Sequence, residues 1–201
     1  MACEYVIGID EVGRGSVAGP LCVGACLMPR RKSHSFLRTL SGIKDSKQLT
    51  PQKRAEWFSV IARAARAGQC RWSTVFVSEK VIDAKGLSFA LHKAIGKTLQ
   101  KLHADPKVSK VLLDGGIRAP SVFLFQQTII KGDEKEPLIA AASIMAKVAR
   151  DRYMVRLAKR HPQYGFDLHK GYGTRRHYAA LRKHGVCPIH RLSFLKRLRL
   201  K

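Results

Sequence analysis

Acidic side chains come at the ends of apolar runs in this chain. Asp10 and Glu11 directly follow the apolar residues 5–9, while Asp114 and Asp133 close later runs and lie beside glycines. Strand ends are where α/β sheets commonly build their sites, so these four carboxylates are candidates for one site. Converging carboxylates repel one another unless cations bind between them, and hard oxygen ligands select Mg²⁺ or Mn²⁺ over Zn²⁺. Two such ions about 4 Å apart can promote in-line hydrolysis of a phosphodiester, which is our first hypothesis.

A simpler interpretation stays open for each aspartate taken alone. Asp beside Gly is a common turn signal, and an acid can also cap a helix. The adjacent pair of Asp10 and Glu11 fits this interpretation less well, because a turn needs only one acid at that place.

The segment that follows the pair contains Gly13, Arg14 and Gly15. Neighbours along a strand point to opposite faces, so Asp10 and Glu11 can share a site only if the backbone leaves the sheet there. The two glycines suit such a departure and let backbone groups approach a ligand closely, for example the 2′-hydroxyl that distinguishes RNA from DNA. The alternative is that Arg14 is an ordinary exposed loop cation.

The composition points to a polyanionic partner. The chain has 38 Lys+Arg against 14 Asp+Glu, a formal charge of +24 over 201 residues. So large an excess favours nucleic acid, since the charge is spread along the chain rather than concentrated in a basic amphipathic helix that would favour a membrane surface. We therefore expect no membrane partner, and a soluble monomer.

The cysteines and apolar stretches indicate a cytoplasmic protein. Five cysteines show neither an even count nor a CxxC pair, so they predict neither a disulfide framework nor a zinc site. The longest apolar stretch, residues 17–28, is broken by glycine and proline and is too short to cross a bilayer. The N-terminus lacks the pattern of a signal peptide.

Hydrophobic periodicity predicts alternating strands and helices through about residue 150. Strands are expected at residues 5–10, 21–28, 71–77, 108–114 and 122–131, helices at 51–67, 87–102, 137–160 and 174–184, and a loop over 30–46. The small residues 139–143 suit close packing of a helix on a sheet. The interleaving predicts an α/β fold with a mixed sheet covered by helices, in which residues 161–201 form a smaller appended region rich in aromatic and basic residues.

One helical stripe offers secondary candidates. Ser143, Lys147 and Asp151 are spaced by four and line up on one helix face. They could form a phosphate-facing stripe with Asp151 as an accessory acid, or a solvated face with an ion pair between Lys147 and Asp151. Lys47 could likewise meet a backbone phosphate.

Six motifs occur in one order along nearly the whole chain. They are Gly8-Ile9-Asp10-Glu11-Val12-Gly13-Arg14-Gly15, Asp45-Ser46-Lys47, Leu113-Asp114-Gly115, Lys131-Gly132-Asp133, residues 140–151 (AAASIMAKVARD) and His169-Lys170-Gly171-Tyr172-Gly173-Thr174. This ordered set resembles the signature of the ribonuclease HII family, and its glycine-arginine-glycine form is similar to ribonuclease HII rather than ribonuclease HIII.

The resemblance implies a ribonuclease H-like core over residues 1–160 and a C-terminal helical, substrate-binding extension over 161–201. It also implies cleavage of the RNA strand in RNA–DNA hybrids and at single ribonucleotides in DNA, leaving 5′-phosphate and 3′-hydroxyl ends. The family's four metal-binding acids fall on Asp10, Glu11, Asp114 and Asp133. Its junction-reading loop falls on residues 13–15, and Tyr172 matches the tyrosine that stacks beside the ribonucleotide.

Two rival functions remain at this stage. Another two-metal phosphoryl-transfer enzyme, such as a DNA nuclease, would use the same kind of metal-binding carboxylates without needing a 2′-hydroxyl. A non-catalytic basic RNA-binding protein fits the composition alone, whereas the placement of the acids disfavours it.

Overall fold

A computed structural model of the chain describes residues 3–43, 46 and 49–196. The strands are β1 (Tyr5–Val12), β2 (Leu21–Pro29), β3 (Arg71–Val77), β4 (Ser109–Asp114) and β5 (Gln126–Ile129). The helices are α1 (Ser33–Thr39), α2 (Pro51–Arg66), α3 (Glu79–Lys85), α4 (Leu87–Lys101), α5 (Gly132–Lys135), α6 (Pro137–Arg160), α7 (Phe166–His169), α8 (Arg175–His184) and α9 (Leu192–Leu195).

The five strands form one mixed sheet in the order β3-β2-β1-β4-β5. β1 is antiparallel to β2, whereas β1, β4 and β5 run parallel. Parallel neighbours end at the same edge of the sheet, so the carboxyl ends of β1, β4 and β5 meet there. The predicted mixed sheet covered by helices is thereby confirmed.

Helix α6 packs directly on the backbone of the two central strands. A Cβ added to Gly8 of β1 would lie 2.3 Å from the Leu138 carbonyl carbon, and one added to Gly24 of β2 would lie 2.4 Å from the Ala142 carbonyl oxygen. The alanines of residues 140–142 are all buried at this contact. Small residues on both sides therefore allow the close packing that the sequence predicted.

The two faces of the sheet carry separate cores. Helix α4 covers one face with Ala90, Leu91, Ala94, Ile95 and Leu99, packed against residues such as Ile7 and Ile9. Helices α2 and α6 cover the other face. None of the described helices has the length and apolar character needed to cross a bilayer.

Three sequence expectations were wrong in detail. Residues 30–46 are not all loop, because a 3₁₀ turn (Arg30–Lys32) and α1 occupy their first part, where Phe36 is buried. The strand expected at 122–131 is only β5, since Val122 and Leu124 are exposed and make no strand pairing. The short helix α3 was not anticipated, because its seven residues show too few turns for a clear period.

The region after α6 packs on the loop between β1 and β2. Isolated bridges join Ser16 to Tyr172 and Ala18 to His190. Asp83 of α3 accepts hydrogen bonds from the Leu192 and Ser193 amides at the start of α9. These contacts hold the region against the sheet, while its division from the core at residue 160 stays a prediction.

Candidate active site

A cavity of about 460 Å³ opens where β1 ends beside α6. It is lined by Asp10, Glu11, Val12, Ser46, Arg54, Ser143, Lys147 and Tyr172. Five of the candidate residues predicted from the sequence therefore line this one cavity. They belong to β1, α6 and the segment before α8, and are Asp10, Glu11, Ser143, Lys147 and Tyr172.

Asp10 is the buried acid of this cavity, with 4% of its surface exposed. Its carboxylate accepts hydrogen bonds from the Glu11 amide at 2.7 Å and from the Ser143 hydroxyl, and the Ser143 and Ser46 hydroxyls are 2.7 Å apart. Burial, together with the nearby carboxylates of Glu11 and Asp114, raises the pKa of Asp10 to about 8. The site therefore places Asp10 where negative charge is unfavourable without a cation.

The strand register explains why Asp10 and Asp114 are close. β1 pairs with β4 only as far as Ile9 opposite Leu113, so the next residue of each strand stands at the open edge. β1 remains paired with β2 through Val12, which corrects the expectation that the backbone leaves the sheet at Glu11. After Ile9, β1 separates from β4 but not from β2, and the edge of β1 that loses its partner opens to the cavity.

Asp114 and Asp133 lie on adjacent elements of the same edge. The Asp114 carboxylate accepts a hydrogen bond of 2.7 Å from the Gly132 amide, the first residue of α5. Asp133 follows Gly132 and is 5% exposed. Asp10, Glu11 and Asp114 are thus within electrostatic reach of one another, and Asp133 is next to the residue that binds Asp114.

The structure distinguishes the two glycines of the loop after β1. Gly13 has φ +84°, and a Cβ there would lie 2.1 Å from Nε of Arg150, whereas a Cβ on Gly15 would meet no atom within 4 Å. Arg14 is exposed, and its guanidinium is 3.5 Å from the Glu11 carboxylate. The backbone conformation and the contact with Arg150 therefore require a glycine only at position 13. A side chain at position 15 would have open space.

We expect Gly13→Ala to destabilise the protein by at least about 2 kcal/mol, because it combines a left-handed backbone with a clash. Gly15→Ala is the matched control and should change the free energy of unfolding by less than about 0.5 kcal/mol. Urea unfolding of both variants measures this. Equal losses in the two variants would contradict the distinction between the glycines.

Tyr172 is held against this loop by the buried Arg150. The Arg150 guanidinium lies 5.4 Å from the centre of the Tyr172 ring and donates to the Pro20, Lys170 and Ala18 carbonyls. It also donates to the Ser16 hydroxyl at 2.8 Å. Arg150 therefore joins the loop after β1 to the segment that carries Tyr172.

A chain of neutral imidazoles supports Tyr172 from the other side. His177 Nδ1 is 2.9 Å from the Tyr172 carbonyl, and His177 Nε2 is 3.1 Å from His190 Nε2. Because the carbonyl accepts, His177 Nδ1 donates and His190 Nε2 donates to His177. His190 Nδ1 then accepts from the Cys187 amide at 2.9 Å. His177 and His190 therefore have a structural role.

Acid should weaken this imidazole chain. Burial lowers the pKa of both His177 and His190 to about 4; the neighbouring His169 further lowers the pKa of His177, and His177 further lowers that of His190. The unfolded chain binds protons from about pH 6.5 downward, so the stabilisation is complete above that pH and is lost as the pH falls toward 4.

We expect the free energy of unfolding to be roughly 2 to 4 kcal/mol lower at pH 5 than at pH 7.5, since each of the two histidines contributes at most about 2 kcal/mol. The His190→Asn variant should be less stable at pH 7.5 and should show a shallower loss between the two pH values. Urea unfolding at both pH values measures this. A pH slope that is unchanged in the variant would contradict the assignment.

The helical stripe divides between two places. Ser143 and Lys147 line the cavity with Asp10, whereas Asp151 lines a neighbouring groove and pairs with Lys147 at 2.9 Å. The ion pair that the sequence offered as an alternative is therefore present, and Lys147 also faces the cavity. Lys47 lies outside the described residues.

Sequence reasoning missed two residues of this site. Arg54 of α2 lines the cavity and donates to the Ser46 and Leu49 carbonyls. Arg150 is fully buried although it is charged. Arg150 is seven residues after Ser143, so both lie on one face of α6. This spacing could have predicted from the sequence that Arg150 lies close to the site. Nothing in the spacing of Arg54 predicts its position.

The acidic residues suit a divalent cation by their chemistry. Hard carboxylate oxygens and the unfavourable burial of Asp10 beside two further carboxylates fit Mg²⁺ or Mn²⁺. Within the described part of the chain, however, no three acidic, histidine or cysteine side chains are already arranged as a metal cage. The ligand set is therefore a proposal.

The mixed sheet, with acids at the ends of its parallel strands, matches the fold of solved ribonuclease HII and H2 structures, which places the chain in the ribonuclease H-like class of nucleases. The family model for ribonuclease HII matches residues 7–197. The chain belongs to the ribonuclease HII family and is a phosphodiester hydrolase acting on nucleic acid.

Individual relatives agree with this assignment. Ribonuclease HII of Caldicellulosiruptor bescii is 42% identical over 195 residues, which are 97% of this chain and 88% of that protein. Ribonuclease HII in the structure of a PCNA:RNase HII complex from Archaeoglobus fulgidus is 28% identical with a TM-score of 0.77, covering 98% of this chain and 96% of that one. Ribonuclease H2 from Pyrococcus horikoshii OT3 is 27% identical with a TM-score of 0.73, covering 98% and 100%.

Proposed function

We propose that this protein is an endoribonuclease that hydrolyses the RNA strand of RNA–DNA hybrids and cuts at single ribonucleotides in duplex DNA, leaving 5′-phosphate and 3′-hydroxyl ends. The observation that carries the proposal is the shared cavity, which the buried Asp10, the partly buried Glu11 and Tyr172 line together. Membership of the ribonuclease HII family supports it. Acids for cleavage and an aromatic ring for the nucleotide thus meet in one place.

The cofactor of this reaction is a pair of Mg²⁺ or Mn²⁺ ions. Asp10, Glu11, Asp114 and Asp133 would hold them, with Asp151 as a possible accessory. Bound ions would supply an activated water and would stabilise the leaving oxygen. The hydrogen bonds from Ser143 and the Glu11 amide fix one Asp10 carboxylate position for this purpose.

The residues around the acids position the substrate. The segment Gly13-Arg14-Gly15 leads directly into residues 16–18, which bond to the Tyr172 segment, so backbone groups and a ring can approach one nucleotide from two sides. Contact with the 2′-hydroxyl there distinguishes RNA from DNA. Ser143, Lys147 and Lys47 contribute polar and cationic contacts to the backbone. The enzyme acts as a cytoplasmic monomer in this proposal.

Cleavage of three duplexes tests the function. The first contains one ribonucleotide in DNA, the second is an RNA–DNA hybrid and the third is all DNA, each with and without Mg²⁺ or Mn²⁺. We expect metal-dependent cuts in the first two alone. Equal cutting of the all-DNA duplex would favour a DNA nuclease, and binding without any turnover would favour a non-catalytic RNA-binding protein.

Arg14 provides a second test of junction reading. We expect Arg14→Ala to lower kcat/KM on the single-ribonucleotide duplex about tenfold, and to lower it less on a long hybrid, because an exposed cation contributes to one local contact. Parallel kinetics on the two substrates measure the ratio. An equal loss of kcat/KM on both substrates would show that Arg14 contributes only general electrostatic attraction to nucleic acid.

A further inference from the structure

A second cavity, of about 650 Å³, adjoins the active-site cavity along α6. We name it the α2–α6 groove. It is lined by Pro51, Arg54, Ala55, Lys147, Val148, Asp151, Arg152, Val155, Arg156, Leu168 and Lys170. Arg54 and Lys147 line both cavities, so the groove is continuous with the site that holds Asp10.

We propose that the α2–α6 groove binds the sugar–phosphate backbone of the nucleic acid strand as it leaves the active-site cavity. This rests on the proposed function, because it takes the cavity around Asp10 as the place of cleavage. The subsite would add affinity for duplexes that extend past the cut on one side, whatever the base sequence.

The charges of the groove suit a polyanion. Its lining includes the five cations Arg54, Lys147, Arg152, Arg156 and Lys170 and the single acid Asp151. Asp151 is already paired with Lys147 at 2.9 Å, so it opposes little of the remaining positive charge. Backbone phosphates are the ligands that such a row of cations attracts without regard to sequence.

Two of the cations are oriented by aromatic rings. The Arg152 guanidinium lies 4.6 Å from the centre of the Phe58 ring, and that of Arg156 lies 5.8 Å from the centre of the Tyr153 ring. Among the described residues, neither guanidinium donates a hydrogen bond to a protein group. A guanidinium stacked on a ring keeps its N–H edge for phosphate oxygens.

The floor between the cations is apolar and open. Val155 is 39% exposed and Leu168 is 55% exposed. Neighbouring exposed apolar side chains mark interaction sites, and here they can pack against sugar carbons between phosphates. An acidic peptide would also meet the cations, but continuity with the cavity that holds Asp10 favours a strand that already passes through it.

The length of the groove sets the reach of the subsite. Lys147 and Arg156 are nine residues apart on α6, which is about 13 Å along the helix. A nucleic acid strand advances about 3.4 Å per nucleotide along a duplex, so the groove covers roughly four nucleotides. Its contribution should therefore grow as a duplex arm lengthens to about four base pairs on one side, and should stay constant beyond that length.

Binding measured by fluorescence anisotropy tests the proposal. The chain carries Asp114→Asn to prevent cleavage. Each duplex contains one ribonucleotide, with an arm of 14 base pairs on one side and an arm of either 1 or 14 base pairs on the other, and each side is varied in turn. We expect Arg152→Ala/Arg156→Ala to weaken binding about three- to thirtyfold only when the arm on one side is long, and to reduce the slope of log affinity against log salt by about 1.8. Val155→Glu should weaken the same duplexes.

The matched control is Lys97→Ala/Lys101→Ala, which removes the same charge from exposed positions of α4 on the opposite face of the sheet. It should leave the dependence on arm length as in the parent. Equal losses for short and long arms, or no loss, would overturn the groove proposal. Binding of an acidic decapeptide that needs Arg152 and Arg156, while duplex binding does not, would also overturn it.

Failure of the proposed function gives a separate result. The uninactivated parent would then leave the single-ribonucleotide duplex intact in the presence of Mg²⁺ or Mn²⁺. The anisotropy comparison does not depend on cleavage, so its outcome for the groove stands by itself. If the parent cleaves the duplex but the Arg152→Ala/Arg156→Ala variant binds duplexes as the parent does, the groove proposal is rejected and the proposed function stands.

Discussion

Asp10→Asn is expected to lower kcat on a single-ribonucleotide duplex by more than about 100-fold while leaving duplex affinity nearly unchanged. Loss of a hydrogen-bond partner to a metal ligand already costs about 10- to 100-fold, so loss of a ligand should cost more. Asp10 is 4% exposed and hydrogen-bonded to Ser143, so the amide can occupy the same place without disturbing the fold. Single-turnover cleavage and equilibrium binding measure the two effects separately.

The same substitution should raise thermal stability when no divalent ion is present. It removes a buried acid that lies beside the carboxylates of Glu11 and Asp114. Mg²⁺ should then stabilise the parent more than the variant. Asp105→Asn is the control, since Asp105 is exposed before β4. Undiminished cleavage by the Asp10 variant would reject the metal role.

Arg150→Met is expected to destabilise the protein by at least about 3 kcal/mol and to lower Tm by roughly 10 °C. The substitution leaves the buried Pro20, Ala18 and Lys170 carbonyls without their guanidinium donor. Hydrogen bonds to a charged donor are worth about 1.5–3 kcal/mol each, and unpaired buried acceptors add a penalty. Thermal and urea unfolding measure the loss.

Two variants show whether the planar guanidinium is needed. Arg150→Lys keeps the charge but cannot donate to several separate groups at once, so we expect it to recover less than half of the lost stability. Arg160→Met changes an exposed arginine at the end of the same helix and should cost less than about 0.5 kcal/mol. Equal stability of the Arg150 and Arg160 variants would show that the buried contacts contribute nothing.

The sequence predicted those parts of the molecule that depend on local patterns. Apolar runs predicted β1 and β2, hydrophobic alternation predicted β3, and four-residue spacing predicted α4. The small residues of α6 predicted the close contact with Gly8 and Gly24. Such features follow from periodicity and side-chain size, which a single sequence contains.

The remaining features depend on contacts between distant segments. Arg54 faces Asp10 because α2 packs beside α6, and no local pattern encodes that approach. The different roles of Gly13 and Gly15 follow from Arg150, which lies more than 130 residues away in the chain. Asp133 was assigned to a strand end, whereas the short helix α5 holds it. Motif order identified Gly13, Gly15 and Asp133 but not their geometry.

The pairing of Ser16 with Tyr172 and of Ala18 with His190 has a consequence for biosynthesis. Ser16 and Ala18 must wait for Tyr172 and His190, so this side of the cavity beside Asp10 cannot form on the ribosome until translation has passed residue 190. Contacts of such long sequence separation also slow folding. A nascent chain should therefore acquire its central sheet before the cavity that Tyr172 lines is complete.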